Sequence, residues 1–265
     1  MKKVRKPYKD FWAEQLLKGM QVVAGDVDLS EVYRKEANFI KEVLGLAPGQ
    51  RVLDMGCGTG GHCLALAEQG IDVTGIDLAP VLTDSAREQV RQAGLSATFH
   101  CADMRTFRPA APFHAAFTSS GTFGLYASDA DNRSVLRTIR AALADKGRFL
   151  IGPSGPDLLH QNSFSTKDWF FSEDGCFLRE MAWDHTTSLL RESWLFIDEE
   201  GSVSEFGGFD DSSDGQYGRI YSLDELQAML AEEGLAFEAA YGSFELPPKP
   251  YGSDTQRLLI VGSKA

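Results

Sequence analysis

Residues 51–78 read RVLDMGCGTGGHCLALAEQGIDVTGIDL, and the fold turns on how they are parsed. Residues 51–55 are a short apolar run of strand type that breaks on a glycine-rich turn. Residues 61–70 then carry a helical pattern closed by Gly70, and residues 72–77 form a second strand-like run. Strand, glycine turn, helix and strand in this order open a parallel α/β sheet. The glycines fit two frames. Gly56, Gly58 and Gly61 match the G-x-G-x-x-G loop of a dinucleotide site, whereas Gly56, Gly58 and Gly60 define a tighter loop.

The same rhythm runs outward from this unit. Residues 79–94 predict a second helix, 97–103 and 113–120 a third and fourth strand, and 148–153 a fifth. Between the last two, residues 129–147 predict an amphipathic helix with Val135, Leu136, Ile139, Ala142 and Leu143 on one stripe. Near Pro156 the pattern changes to aromatic and β-branched runs split by turn signals such as Asp174-Gly175 and Glu200-Gly201. That predicts an antiparallel meander. From Ser222 the first rhythm resumes, with a helix capped by Ser222 and supported by Glu225 three residues later. Residues 236–245 and 257–265 would close the sheet as an edge hairpin. The expected fold is α/β, a Rossmann-like seven-stranded, mostly parallel sheet with helices on both faces and an inserted antiparallel β meander.

Bulk properties narrow the function. The 265 residues carry 26 Lys plus Arg against 38 Asp plus Glu, a net charge of −12. Such acidity argues against nucleic acid as a partner, because phosphate-backbone contact needs clustered cations. The basic start (Lys2, Lys3, Arg5, Lys6) is interrupted by Asp10, Glu14 and Gln15 before any apolar signal core, and no run is long enough to span a bilayer. Cys57, Cys63, Cys101 and Cys176 form no C-x-x-C pair, so a reduced, cytoplasmic chain without membrane partner is expected.

The carboxylates decide between the two glycine frames. Asp77 ends the second strand, where an acid accepts from ribose hydroxyls in either kind of site. Asp54 lies two residues before Gly56, and a carboxylate there would repel a pyrophosphate. S-adenosylmethionine carries no phosphate and brings an ammonium and a sulfonium instead. The loop is therefore read as a site for S-adenosylmethionine; a nicotinamide oxidoreductase survives only through the Gly61 coincidence.

At this point VLDMGCGTG, VTGIDLA, CADM and LADKGRFLI together resemble the motif series of class I S-adenosylmethionine-dependent methyltransferases. Within that family the chain is similar to small-molecule N- and O-methyltransferases, including glycine- and amino-sugar-type enzymes, with an N-terminal lid and a β-rich insertion. The resemblance implies a helical lid over residues 1–45, a donor-binding core over 46–155 and 221–265, and an insertion over 156–220 that covers the acceptor. It assigns Asp54, Gly56, Cys57 and Gly58 to the methionine part, with Gly60 in the same cofactor-binding loop, Asp77 to the ribose, and Leu78 to one face of the adenine. Asp103 would accept from the adenine amino group beside the backbone of Met104, and Thr118 and Ser119 would open towards the methyl group. Arg34 would clamp the methionine carboxylate, with Tyr8, Trp12 and Tyr33 in the same lid. Each has a plainer reading: Asp54, Asp77 and Asp103 as capping or turn acids, Arg34 on a solvated face, and Tyr8 and Trp12 as core. His62 and Cys63 read as packing residues, and Trp169, Trp183 and Trp194 as sheet packing.

The expected reaction is metal-free, in-line methyl transfer to nitrogen, oxygen or carbon of a small molecule, releasing S-adenosylhomocysteine. No pairing of carboxylates at the ends of the fourth and fifth strands suggests a magnesium site. His185, Tyr217 and Arg219 are the acceptor-side candidates: His185 as a base in the insertion, Tyr217 and Arg219 where the insertion rejoins the core, Arg219 for an anionic group. Transfer of another group by the same fold and a non-catalytic S-adenosylmethionine sensor are the alternatives. The chain is expected as a monomer or homodimer.

Overall fold

The computed structural model describes residues 3–6, 28–153, 155, 159, 162–172, 175–206, 216–252, 255 and 257–265. Tyr8 and Trp12 lie outside the described residues. Seven strands build the main sheet: β2 (Arg51–Met55), β3 (Asp72–Asp77), β4 (Thr98–Cys101), β5 (Phe113–Phe123), β6 (Leu143–Pro153), β12 (Leu235–Tyr241) and β13 (Leu259–Lys264). Their order is β12-β13-β6-β5-β2-β3-β4, and the described pairs are parallel except where β13 runs antiparallel to β6 and β12. The expected edge hairpin is β12 and β13.

Alternation along the strands sends side chains to two cores. Val52, Val73, Ala115 and Phe117 pack beneath α1 (Leu29–Leu44), α2 (Gly61–Ala67) and α3 (Pro80–Gln92). Leu53, Ile76, Ala116 and Ile151 face α4 (Asp129–Ala142) and α5 (Leu223–Glu232) on the other side. Strands covered on both faces read as continuous apolar runs, and RVLDM is one. α1 starts where the Asp28 carboxylate accepts from the Ser30 N–H at 2.9 Å and stops where Gly45 turns left-handed at φ 64°. α5 carries the expected capping box between Ser222 and Glu225.

Two boundaries differ from the sequence reading. α4 ends at Ala142, five residues early, because Leu143 turns extended (ψ 140°) and pairs with Phe113 while keeping its place in the apolar core. Lys3–Lys6, expected as the start of a helical lid, is instead strand β1, paired parallel with β10 (Val203–Phe206). An edge strand presents unpaired N–H and C=O groups, and β1 satisfies those of β10.

The inserted sheet is β7 (Phe164–Ser172), β8 (Gly175–Asp184), β9 (Leu189–Asp198) and β10, joined by β1 and by β11 (Gln216–Arg219). β11 and β10 share one edge of β9, pairing with Leu189–Glu192 and Trp194–Ile197 respectively. Phe177, Trp183 and Trp194 are buried on one face, whereas Trp169 and Phe171 are exposed on the other. The sheet is fastened at the C-terminal end of β5, where Arg219 N–H donates to the Gly124 carbonyl at 2.7 Å. Trp183 packs on Ile220 beside it.

Candidate active site

The glycine loop bridges β2 and α2 in left-handed backbone. Gly56, Gly58 and Gly60 stand at φ 84°, 54° and 83°, a region that favours glycine. Gly56 and Cys57 N–H groups donate to the Ile76 carbonyl at 2.8 and 2.9 Å, tying the loop to β3. Gly61 is glycine for another reason. A Cβ there would lie 2.3 Å from the Tyr33 ring, which α1 lays across the start of α2. The conformational requirement thus falls on Gly56, Gly58 and Gly60, and the third glycine of the dinucleotide pattern belongs to helix packing.

Two carboxylates flank this loop. Asp54 is 1% exposed, and its Oδ2 accepts from the Cys63 thiol at 3.3 Å. Burial pushes its acid up to about 6, with His62 pulling the other way. Asp77 accepts from Gly58 N–H with Oδ2 and from Ala79 N–H with Oδ1, both at 3.0 Å. It therefore pins the loop and the entry to α3 together, with a second lone pair on each oxygen left for hydroxyl donors. Leu78 and Val81 form an apolar lip beside it, 50% and 44% exposed. Thr118 is fully buried, and its Oγ1 has no partner among the described residues.

The other expected residues have protein partners. Asp103 is gripped by Arg105, whose Nη2 donates at 2.7 Å and holds the carboxyl below its usual range; half-buried Met104 follows it. Arg34 lies beside Glu68 at 3.8 Å, at the end of α2 remote from the loop, with its side chain 57% exposed. Arg219 donates to Glu225 at 2.6 Å and stacks on the Tyr221 ring at 4.6 Å. Arg34 and Arg219 thus each stand beside a protein carboxylate. His185 is exposed, with Nδ1 2.7 Å from Ser163 Oγ. The Tyr217 backbone pairs with Arg191 in β11.

The residues that sequence reasoning missed are Glu36 and His62. His62 Nε2 lies 2.8 Å from Glu36 Oε2, its Nδ1 lies 3.3 Å from Ser119 Oγ, and all three residues are buried. Tyr33 meets the imidazole edge-on at 4.9 Å, and burial, with the Glu36 and Asp54 charges, pushes its phenol up. A signal was available: Glu36 occupies a stripe position with Phe39, Ile40, Val43 and Leu44, where an apolar residue would be expected. Nearby, hydrogen bonding to Cys57 and burial push the Cys63 thiol well up, marking it as inert.

Residues 52–147 match the model of a methyltransferase-domain family. Among solved structures, the chain is similar to the CcbJ methyltransferase of Streptomyces caelestis (19% identity, 88% and 89% of the two chains, TM-score 0.73). It is also similar to an amino pentose methyltransferase of Micromonospora echinaspora (23% identity, 95% and 96% covered, TM-score 0.64). A protein-L-isoaspartate O-methyltransferase of Methylorubrum extorquens is 32% identical over 136 residues. That match takes in 50% of this chain and 55% of the relative, so the chain spans about half of that relative's length.

Residues 52–147 of the chain are a methyltransferase domain, set in a Rossmann-like methyltransferase fold.

The residues present in this methyltransferase domain fit the methyl donor. Asp54 and Asp77 set negative charge at the turn, Leu78 and Val81 offer apolar surface for an adenine, and the Thr118 hydroxyl awaits a partner. No group of three or more potential metal ligands occurs among the described residues, and no helix of the described residues is long and apolar enough to cross a membrane.

Proposed function

We propose that the chain transfers the methyl group of S-adenosylmethionine to nitrogen or oxygen of a small-molecule acceptor and releases S-adenosylhomocysteine. The observation that carries this reading is the loop itself: a buried carboxylate, Asp54, and a second, Asp77, on either side of the left-handed turn. The donor supplies a methyl group already activated by its sulfonium, so the protein's task is alignment and a destination for the acceptor's proton. Asp54 faces the donor's ammonium, Asp77 the ribose hydroxyls, and Leu78 the adenine. Alignment of this kind contributes on the order of 7 kcal/mol in well-oriented systems.

The insertion is the acceptor side. It is fastened through Arg219 to Gly124, just past the end of β5, the strand that carries Thr118 and Ser119, and ligands of such sheets sit in the crevice at that edge. Arg219 keeps the insertion in place through Glu225, and His185 and Tyr217 remain candidates to touch the acceptor. The amino pentose named for one similar structure makes amino sugars the first acceptors to try.

The test is release of S-adenosylhomocysteine from S-adenosylmethionine with a panel of amino sugars, free and nucleotide-linked, their hydroxyl analogues, and an isoaspartyl peptide. Release with a sugar supports the reading, and release with the peptide alone would replace it by a protein-methylating one. Tight donor binding with no release on any acceptor would favour a sensor.

A further inference from the structure

We propose that Ser119, His62 and Glu36 form a proton relay that takes the acceptor's proton away from the methyl-transfer site. The proposal rests on the functional reading above and extends it to three residues drawn from β5, α2 and α1. The hydrogen bonding assigns the protons. A carboxylate only accepts, so the 2.8 Å contact puts the imidazole proton on Nε2, donating to Glu36 Oε2. Nδ1 is then a bare acceptor, and the Ser119 Oγ–H donates to it across 3.3 Å. No other described residue bonds Ser119 Oγ, so its lone pairs are free to accept from a ligand.

The placement gives the relay its purpose. Ser119 lies within β5, two residues beyond Phe117 and so on the same face as Phe117 and its partner Asp54. The hydroxyl therefore lies on the loop's side of the sheet, buried at 6% exposure, with His62 and Glu36 beyond it at 6% and 5%. A buried histidine and glutamate on an apolar helix face are costly unless paired, and here the pairing runs in a line towards the site. As the acceptor's lone pair bonds to the methyl carbon, the carbon–sulfur bond breaks and its electrons stay on sulfur. The acceptor's N–H or O–H proton passes to Ser119 Oγ, the serine's own proton passes to Nδ1, and Glu36 holds the resulting imidazolium. Ser119 is the catalytic residue, His62 the base behind it, and Glu36 the positioning residue. The groups facing the imidazole are Glu36 and the Tyr33 ring from α1, Ser119 and Phe117 from β5, and the Asp54 charge from β2; Arg257 stands 3.9 Å from Glu36.

The test uses the full chain with saturating S-adenosylhomocysteine for nitrogen-15 NMR of the His62 ring, and the sugar panel for turnover. The expected pattern is a proton on Nε2, an Nδ1 resonance that moves in Ser119→Ala, and an Nε2 resonance that moves in Glu36→Gln. Turnover of Ser119→Ala and His62→Asn should fall about 10²-fold, in the range of general-base loss, with S-adenosylhomocysteine affinity within about threefold. The pH dependence of wild-type turnover should lose its acid limb in His62→Asn. A proton on Nδ1, or an imidazole indifferent to Ser119→Ala, overturns the relay whatever the turnover. Full turnover in Ser119→Ala overturns it as well. The expected imidazole pattern with a wild-type chain inactive on every acceptor overturns the functional reading instead, and the relay's catalytic role with it.

Discussion

In the main sheet, helices cover both faces, and the loop at its C-terminal edge holds Gly56, Gly58 and Gly60 in backbone that favours glycine. The inserted sheet buries Phe177, Trp183 and Trp194 on one face and leaves Trp169 and Phe171 to solvent on the other. In the first region, backbone conformation and buried charge dictate residue identity; in the second, what matters is a continuous surface with a few fastening points. Substitutions should therefore cost donor binding in the first region and leave it nearly untouched in the second. The following variants bear on that contrast.

The largest effect is expected from Asp77→Ala. It removes the ribose acceptors and also orphans the Gly58 and Ala79 N–H groups. Affinity for S-adenosylhomocysteine should drop more than about tenfold, and stability should fall by about 1–3 kcal/mol. Calorimetric titration and denaturant unfolding read the two effects. Unchanged affinity in a folded variant would remove Asp77 from the site.

Next comes pH, through Asp54. Its acid is raised to about 6 in the donor-free fold, so the carboxylate that should face the donor's ammonium is lost as pH falls through 6. Affinity for S-adenosylmethionine should be flat above about pH 7 and weaken towards tenfold per pH unit below about 6. Stability should run the other way: the folded state binds this proton more tightly than the unfolded chain, so the donor-free protein gains from Asp54 as pH falls from about 7 to 4. Asp54→Asn should flatten both trends. Parallel trends in the wild type would contradict the assignment.

Arg219→Ala tests the fastening point. Losing the Glu225 and Tyr221 contacts should lower stability by about 1 kcal/mol and reduce turnover, while donor affinity stays within about threefold, under roughly 0.7 kcal/mol. A tenfold loss of donor affinity would merge the two regions into one site. The smallest effect is expected from Trp169→Ser on the exposed face, a change within about 0.5 kcal/mol of stability and none in donor binding. A larger stability loss at low protein concentration would show that this face is covered in solution.

The main sheet was legible because its signals are local. The apolar run RVLDM, the glycine turn and the two strand-end acids each follow from a physical demand that few residue types meet. The Ser222 cap was equally readable, since the box needs Glu225 three residues on. What escaped depends on partners distant in sequence. His62 looks like packing until Glu36, 26 residues earlier, and Ser119, 57 residues later, are brought to it. Arg219 looks free until Glu225 and Tyr221 surround it. The early end of α4 escaped for the same reason, because only the pairing of Leu143 with Phe113 draws that residue out of the helix. Strand β1 depends on an edge created two hundred residues further on.

The central claim is that the loop between β2 and α2 binds the methyl donor and not a dinucleotide, although Gly56, Gly58 and Gly61 spell the dinucleotide pattern. Calorimetric titration of the wild-type chain with S-adenosylhomocysteine and, separately, with NAD tests it most directly. Saturable one-to-one binding of S-adenosylhomocysteine, abolished or weakened at least about tenfold by Asp77→Ala, with no heat from NAD, is the predicted result. Saturable NAD binding that Asp77→Ala weakens, with S-adenosylhomocysteine giving none, would contradict the account.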